Sequence, residues 1–171
     1  LDVAAQIKGG GQEMGRRSGT ENVIGIAGFG AAALAAATQL ADGVWEAVAA
    51  KRDHLETCLE QGADGSIFVG RDAVNMGAKR LPNIASIITP HWKGETQVMQ
   101  MDLAGFSVSA GSACSSGKVK ASKVLEAMGY SGEEAASALR VSLGLDTTDE
   151  DIERFAEAWL AAHKRWKARA A

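Results

Sequence analysis

The sequence predicts one domain of the α/β class, in its α+β form, with helices covering a short mixed or antiparallel sheet. Strand-like apolar segments alternate with helix-like segments along the chain, which is typical of such domains. The chain has 171 residues, of which 46% are apolar, and this length buries roughly 70% of the unfolded surface, enough for one core. The 20 glycines, 2 prolines and 2 cysteines exclude collagen, disulfide scaffolds and disordered tails.

The first half of the chain predicts two helices and two strands. Residues 23–40 are rich in Ala, Ile and Leu and predict a long helix that is buried on several sides. Residues 44–59 repeat apolar side chains at helical spacing with charges between them, which indicates an amphipathic surface helix. Short apolar runs predict strands at residues 66–69 and 84–88, separated by a loop at residues 71–80.

The second half of the chain continues the alternation and ends in a long amphipathic helix. Its predicted elements are helix 94–103, strand 106–110, helix 122–128 and strand 139–143. Thr147 stands three residues before Glu150, a spacing that predicts a capping box at the start of the last helix.

Charge, hydropathy and cysteine spacing exclude several classes of partner. The net charge of −3 argues against nucleic acid as a direct ligand, because a phosphate-binding surface needs a basic excess. No apolar run approaches the ~20 residues of a membrane span, so we expect no membrane partner and a cytoplasmic location. Cys58 and Cys114 lie far apart, and no metal site is predicted from their spacing or from that of the histidines. The chain opens on Leu1 without an initiator Met, which predicts a piece of a longer protein.

Cys114 is the first candidate for chemistry. It follows a predicted strand among small residues, and Lys118 and Lys120 lie close behind it. Nearby cations lower the pKa of a thiol and so raise the fraction of nucleophilic thiolate. The alternative is a free cysteine that packs as a small apolar residue, which is also our interpretation of Cys58 on its amphipathic helix.

Two further segments offer anion-binding groups. Arg140 alternates with apolar neighbours in strand 139–143, and a guanidinium held on a strand beside a cleft suits bidentate binding of a carboxylate. From the alternation alone, a plain surface arginine is the favoured alternative. Residues 9–20 combine glycines, Arg16, Arg17 and hydroxyl side chains as phosphate-binding loops do, although a purely structural loop is as good an interpretation.

Three segments together resemble the C-terminal part of the group I cysteine desulfurases of the NifS/IscS type, within the class V aminotransferases. They are Gly-Gly-Gln-Glu-x-Gly-x-Arg-Ser-Gly-Thr at residues 10–20, Ser-Ala-Gly-Ser-Ala-Cys-Ser-Ser at 109–116, and Leu-Arg-Val-Ser-Leu-Gly with a following Thr-Thr-x-Glu at 139–150. The resemblance implies the small C-terminal domain of a fold-type I pyridoxal-phosphate-dependent transferase at residues 23–171. It makes residues 1–22 the end of the large domain with its crossover loop.

The resemblance also implies roles for individual residues. Cys114 resembles the nucleophile that takes sulfur from L-cysteine as a persulfide, leaving L-alanine, and passes it to a sulfur acceptor or an iron–sulfur scaffold protein. Arg140 resembles the arginine that binds the substrate carboxylate. Thr20 resembles the threonine that, in the homodimer, contacts the cofactor phosphate of the other subunit.

One part of the family pattern is missing from the sequence. The lysine that holds the cofactor follows a histidine in the large domain of that family, and the only His-Lys pair here, His163-Lys164, lies in the last predicted helix. We therefore expect the isolated chain to be inactive and the complete enzyme to desulfurate cysteine. A non-catalytic binding or dimerisation module is the alternative.

Overall fold

The computed structural model describes residues 4–111 and 121–170. The chain divides into two compact units, Leu1–Gly43 and Val44–Ala171. Its helices are α1 (Val23–Ala41), α2 (Val44–Glu60), α3 (Gly94–Leu103), α4 (Lys123–Ala127), α5 (Gly132–Ala136) and α6 (Asp149–Ala170), and its strands are β1 (Ile67–Phe68), β2 (Ile84–Ile88), β3 (Ser109–Ala110) and β4 (Ala138–Ser142). The domain boundary predicted after residue 22 concerns the complete enzyme and stays a prediction.

The first unit consists of the glycine-rich loop and α1. The side chain of Asn22 caps the helix by accepting a hydrogen bond from the amide of Gly25 at 3.1 Å. No residue of α1 is buried in the structure, so the expectation that this helix is buried on several sides is wrong. The statement that no apolar run has the length of a membrane span is also wrong, because the 19 residues of α1 are long and apolar enough by length and composition.

The second unit is built on a four-stranded sheet in the order β1-β2-β4-β3. All three strand pairings are antiparallel, which decides between the mixed and antiparallel sheets that the sequence left open. β2 and β4 form the centre of the sheet, with Ser86 opposite Arg140 and Ile87 opposite Leu139. The fold class predicted from the sequence is confirmed.

One face of the sheet carries the larger core. Ala85, Ile87, Leu139 and Val141 alternate along β2 and β4 and point to this face. They pack with apolar side chains of α2, α3 and α6, namely Leu55, Leu59, Met101, Ile152, Phe155 and Trp159. Burial of these side chains supplies most of the hydrophobic stabilisation of the unit.

In the second unit, the described residues cover the opposite face of the sheet over only part of its length. Ile88 and Ala138 lie beneath Leu125 of α4 and Ala135 of α5 in a smaller apolar cluster. Toward the other end of the same strands, Arg140 and the serines beside it are polar, and Ile84 opposite Ser142 is the apolar residue of this part. We call this polar part of the sheet, which carries Ser86, Ser109, Arg140 and Ser142, the open face.

Several local predictions need correction. The capping box of the last helix is formed by Thr148 and Asp151, whose side chains bond to each other's backbone amides at 3.1 and 3.0 Å. Thr147 instead accepts a hydrogen bond from the amide of Gly144 at 2.9 Å. Helix α5 was not predicted, and the predicted loop at 71–80 contains a 3-10 helix, Asp72–Met76.

Candidate functional site

The open face places Arg140 between two serines. In the register of the sheet, Arg140 is opposite Ser86 of β2 on one side and Ser109 of β3 on the other. Its neighbours along β4, Leu139 and Val141, are buried in the larger core, whereas Arg140 is exposed. The side chain of a strand residue next to two core residues must point to the opposite face, so Arg140 rises from the open face.

A cavity of about 240 Å³ lies at the edge of the open face. Its polar lining includes Arg140, Ser86 and Ser122 together with the backbone of Gly111, and its apolar lining is Val69, Val124, Leu125, Met128, Ala138 and Leu139. A basic group and hydroxyls in a partly apolar cavity are the usual composition of a small-molecule site.

The guanidinium of Arg140 is available to bind an anion. Within residues 4–111 and 121–170, its side chain makes no ion pair. Some arginines of the described chain are engaged by acids, as Arg80 is by Glu56 and Arg52 by Asp53. A planar fork of donors that no described acidic side chain neutralises suits a carboxylate.

The described chain approaches the same cavity on both sides of the cysteine segment. Gly111 is the last described residue before this segment and Ser122 follows its end, and both line the cavity with Arg140. Cys114 itself, with Lys118 and Lys120, lies outside the described residues. Its role as the nucleophile therefore stays a prediction.

The glycine-rich loop is ordered by one of its own arginines. The Nη1 atom of Arg17 donates to the carbonyl oxygens of Gly19 and Thr20 at 2.7 and 3.1 Å, and its Nη2 atom pairs with Glu13 at 3.1 Å. Arg17 is thereby committed to the loop and is not a free cation for a phosphate. The amide of Ser18 also donates to the carbonyl of Ile7 at 3.0 Å, which ties the two ends of the loop together.

Thr20 is exposed at the end of this loop. Its backbone carbonyl accepts from Arg17, and within the described residues its hydroxyl makes no hydrogen bond, so it is available to a ligand. Thr20 belongs to the unit Leu1–Gly43, whereas Arg140 and Gly111 belong to the unit Val44–Ala171.

Cys58 has a structural environment. It is half-buried on α2 and packs against the larger core, and its sulfur lies 3.7 Å from the Nε2 atom of His54 one helical turn earlier. This environment agrees with the interpretation of Cys58 as a packing residue.

Comparison with known proteins identifies the family. Residues 4–155 match the family described as aminotransferase class-V. The chain belongs to the class V aminotransferase family. Its similarity to cysteine desulfurases of the NifS/IscS type, inferred above from three motifs, is confirmed by the relatives.

Two relatives illustrate that similarity. The chain is 42% identical over 148 residues to a cysteine desulfurase of Gluconacetobacter diazotrophicus, covering 86% of this chain and 36% of that protein. It is 40% identical over 152 residues to cysteine desulfurase IscS 1 of Archaeoglobus fulgidus, covering 88% of this chain and 38% of the relative. The chain therefore spans little more than a third of the length of these relatives.

A solved structure agrees with the class V assignment at the level of the fold. The NifS-like protein of Rickettsia africae superposes with a TM-score of 0.78 at 32% identity, covering 96% of this chain and 41% of that one. The α+β arrangement derived above is thus found in a NifS-like protein.

Sequence reasoning missed Ser86 and Ser122 as residues of the site. Ser86 stands in the run Ile84-Ala85-Ser86-Ile87, where its alternation with buried residues marks the face opposite the core. Its position beside Arg140 depends on the register between two strands more than fifty residues apart in sequence, which a single sequence does not disclose.

Proposed function

We propose that the chain is the C-terminal portion of a pyridoxal-phosphate-dependent cysteine desulfurase, a sulfur transferase. The complete enzyme takes sulfur from L-cysteine, releases L-alanine and holds the sulfur as a persulfide on Cys114. The proposal rests on the class V family match and on relatives named as cysteine desulfurases.

One observation of the structure carries the proposal further. Arg140 and Gly111 line the same cavity, and Cys114 follows Gly111 by three residues in the sequence. Three residues of chain reach at most about 11 Å. This connectivity supports a substrate-binding guanidinium and a sulfur-accepting thiolate that serve one site.

Arg140 has the role of binding the substrate carboxylate. Its guanidinium, which no described residue pairs with, gives two parallel N–H donors to the two carboxylate oxygens, and this fixes the orientation of the amino acid as well as its position. A fixed orientation is a large part of catalysis, because it brings the thiol of the substrate toward the accepting cysteine.

Cys114 has the role of accepting the sulfur. Its thiolate forms a sulfur–sulfur bond with the substrate sulfur as the carbon–sulfur bond of the substrate breaks, and the carbon takes up a proton. L-Cysteine and the enzyme thiol thus become L-alanine and the enzyme persulfide, with no external oxidant or reductant. The persulfide then gives its terminal sulfur to an acceptor or an iron–sulfur scaffold protein.

Thr20 fits a contact with the cofactor phosphate. Its hydroxyl is exposed and unengaged in the described residues, at the end of a loop that Arg17 holds in place. In a homodimer it would donate to the phosphate of the partner subunit's cofactor. Pyridoxal phosphate, when bound, supplies the electron sink that carbon–sulfur cleavage requires.

The covalent lysine for the cofactor is proposed to lie in the part of the enzyme that this chain does not include. The isolated chain is therefore expected to release no alanine from cysteine. The enzyme assembled from this chain and the cofactor-binding domain is expected to be active.

A sulfide-release assay with added reductant tests the proposal. The isolated chain is expected to give no sulfide, and addition of the cofactor-binding domain is expected to restore release. Cys114→Ala is expected to abolish the restored activity, whereas the matched variant Cys58→Ala retains it, because Cys58 packs on the core. An inactive assembled enzyme, or full activity in Cys114→Ala, would contradict the proposal.

The exposed apolar helix α1 favours a second candidate, a non-catalytic binding or dimerisation module. Ile24 and Phe29 of α1 are 88% and 78% exposed, and an apolar surface of this kind is typical of a surface covered by another polypeptide. This candidate predicts full binding of a sulfur-acceptor protein by Cys114→Ala and no persulfide on the wild-type chain. Mass spectrometry after incubation of the assembled enzyme with L-cysteine separates the two, since the desulfurase gains 32 Da (about one sulfur atom) on Cys114.

A further inference from the structure

We propose that Ser86 is a second group that binds the substrate carboxylate, beside Arg140, and that it contributes to the selection of substrates with a carboxylate. This inference rests on the proposed function. It extends the site by a residue on a different strand, and it is carried by the hydrogen-bond pattern of the sheet, by the lining of the cavity and by the state of the Ser86 hydroxyl.

The hydrogen-bond pattern brings the side chains of Ser86 and Arg140 close together. The amide of Val69 donates to the carbonyl of Ser86 at 2.9 Å, so the backbone polar groups of Ser86 face away from β4. The amide of Leu143 donates to the carbonyl of Asn83 at 2.9 Å, so Asn83 and Leu143 are a hydrogen-bonded pair. Such pairs recur at every second residue along β2 and β4, and Ser86 lies an odd number of residues from Asn83. Ser86 and Arg140 are consequently a non-hydrogen-bonded pair.

This kind of pair has the shorter separation in an antiparallel sheet. Opposite Cα atoms lie about 4.5 Å apart in a non-hydrogen-bonded pair and about 5.5 Å apart in a hydrogen-bonded pair. The backbone groups of Arg140 face β3, so Ser109 forms the wider pair with it. Of the two serines that flank Arg140, Ser86 is therefore the one in close side-chain contact range.

Ser86 is also the serine of the cavity whose hydroxyl no described residue engages. It lines the cavity together with Arg140 and Ser122. Ser122 is the N-cap of α4, and its oxygen accepts a hydrogen bond from the amide of Leu125 at 3.4 Å, which holds its side chain toward the first turn of that helix. Within the described residues the Ser86 hydroxyl has no hydrogen-bond partner, and its backbone is fixed by bonds to the chain beside β1.

The chemistry of a carboxylate matches this pair of groups. A carboxylate has about four lone-pair sites, and a bidentate arginine uses two of them. A hydroxyl beside the guanidinium donates to a third site without competing for the same lone pair. A ligand without an anionic acceptor group loses the bidentate pair with the guanidinium, so the two groups act on both affinity and selectivity.

The test compares four forms of the complete enzyme: wild type, Ser86→Ala, Ser86→Thr and Ser109→Ala. Ser86→Ala is expected to raise KM for L-cysteine about tenfold, equivalent to about 1.4 kcal/mol, with kcat within about twofold of wild type. The inhibition constant of L-alanine is expected to rise by the same factor, because alanine has the same carboxylate. Ser86→Thr is expected to restore both constants, since threonine retains the hydroxyl and suits a strand.

Ser109→Ala is the matched control. It removes a hydroxyl from the other neighbour of Arg140, and Ser109 is outside the described lining of the cavity. Its KM is expected to stay within about twofold of wild type. A Ser86→Ala enzyme with unchanged KM and unchanged alanine inhibition would overturn the inference, and so would an equal effect of Ser109→Ala.

The same experiment separates this inference from the proposed function. A wild-type enzyme without sulfide release contradicts both, because the inference depends on the function. An active wild type with Ser86→Ala indistinguishable from it contradicts the role of Ser86 alone. A uniform fall of kcat without a change in KM or in alanine inhibition also contradicts it, because that result indicates a structural effect.

Discussion

Replacement of Glu56 by alanine is expected to destabilise the unit Val44–Ala171 by about 3–5 kcal/mol. Glu56 lies on α2 with only 1% of its side chain exposed, and it pairs with both terminal nitrogens of Arg80. The Nε atom of Arg71 lies 3.5 Å from the same carboxylate. These contacts fasten the segment that precedes β2 to α2, and β2 carries Ser86.

The magnitude follows from what remains after the carboxylate is removed. The side chain of Arg80 is 12% exposed, so its cation would stay largely buried without a partner. The hydrogen bonds that Arg80 donates to the Glu56 carboxylate raise the pKa of Arg80. Loss of the proton offers no relief in the variant, because an arginine stays charged. Arg71 is 34% exposed and retains its ion pair with Glu60 at 2.8 Å. Loss of the contact between Arg71 and Glu56 therefore adds at most about 1 kcal/mol.

Urea unfolding of the chain, followed by tryptophan fluorescence, measures this effect. Glu60→Ala is the matched control on the same helix, because Glu60 is 58% exposed and its removal is expected to cost less than about 1 kcal/mol. Replacement of both Glu56 and Arg80 by methionine is expected to recover most of the loss, since an apolar pair leaves no buried charge. A loss below about 1 kcal/mol in Glu56→Ala, or a double variant no more stable than it, would refute the reasoning.

Four further predictions concern packing, pH, binding and location. Gly94→Ala places a Cβ 2.5 Å from the carbonyl of Ala138 and is expected to cost about 1–3 kcal/mol in urea unfolding. Burial lowers the pKa of His163 from 6.5, so the unfolded chain binds the proton more tightly than the folded chain does. The free energy of unfolding should therefore fall as the pH drops below about 6.5 and level off below the pKa of the folded state. The variant His163→Phe should remove this slope. Arg140→Lys in the complete enzyme is expected to raise KM for L-cysteine at least about tenfold, because lysine lacks the bidentate fork, and an unchanged KM counts against the site. We also propose that the complete enzyme is cytoplasmic and that the rest of its chain covers α1. Cell fractionation should then recover the enzyme with the soluble proteins, and recovery with membranes would contradict this proposal.

Local sequence signals predicted most helices and strands of the second unit because their causes are local. Helix α3 occupies the predicted residues 94–103, and β2 the predicted 84–88. The predicted capping box of α6 is one residue too early, because Thr147 and Thr148 both stand three residues before an acidic residue. Only the fold decides between them, since Thr147 is engaged by the amide of Gly144. Helix α5 carries a recognisable signal, Ser131 three residues before Glu134, and these residues do form a capping box.

The site was predictable only in part, because its residues meet through long-range pairing. Arg140 was identified by its motif and by its alternation with buried neighbours. The neighbourhood of Arg140 depends on the register of β2 against β4, and a shift of one residue would have placed Ala85 or Ile87 opposite it instead of Ser86. The exposure of α1 could not be predicted either. An apolar composition indicates that a helix packs against another surface, but it does not indicate which part of a protein provides that surface.

One face of the sheet packs in the larger core and stabilises the fold, and the other carries the residues of the proposed site. Effects on stability and on substrate binding can therefore be measured separately. Leu139 and Val141 are 0% and 8% exposed in the larger core, so the position of β4 is determined by residues that do not enter the site. Arg140 and Ser86 lie on the open face, where a substitution removes little buried apolar area and is expected to change unfolding by less than about 0.5 kcal/mol. A variant of either residue that loses substrate affinity while its urea midpoint is unchanged therefore reports on carboxylate binding. A variant that loses both would indicate that the open face also supports the fold, which the burial pattern of β4 argues against.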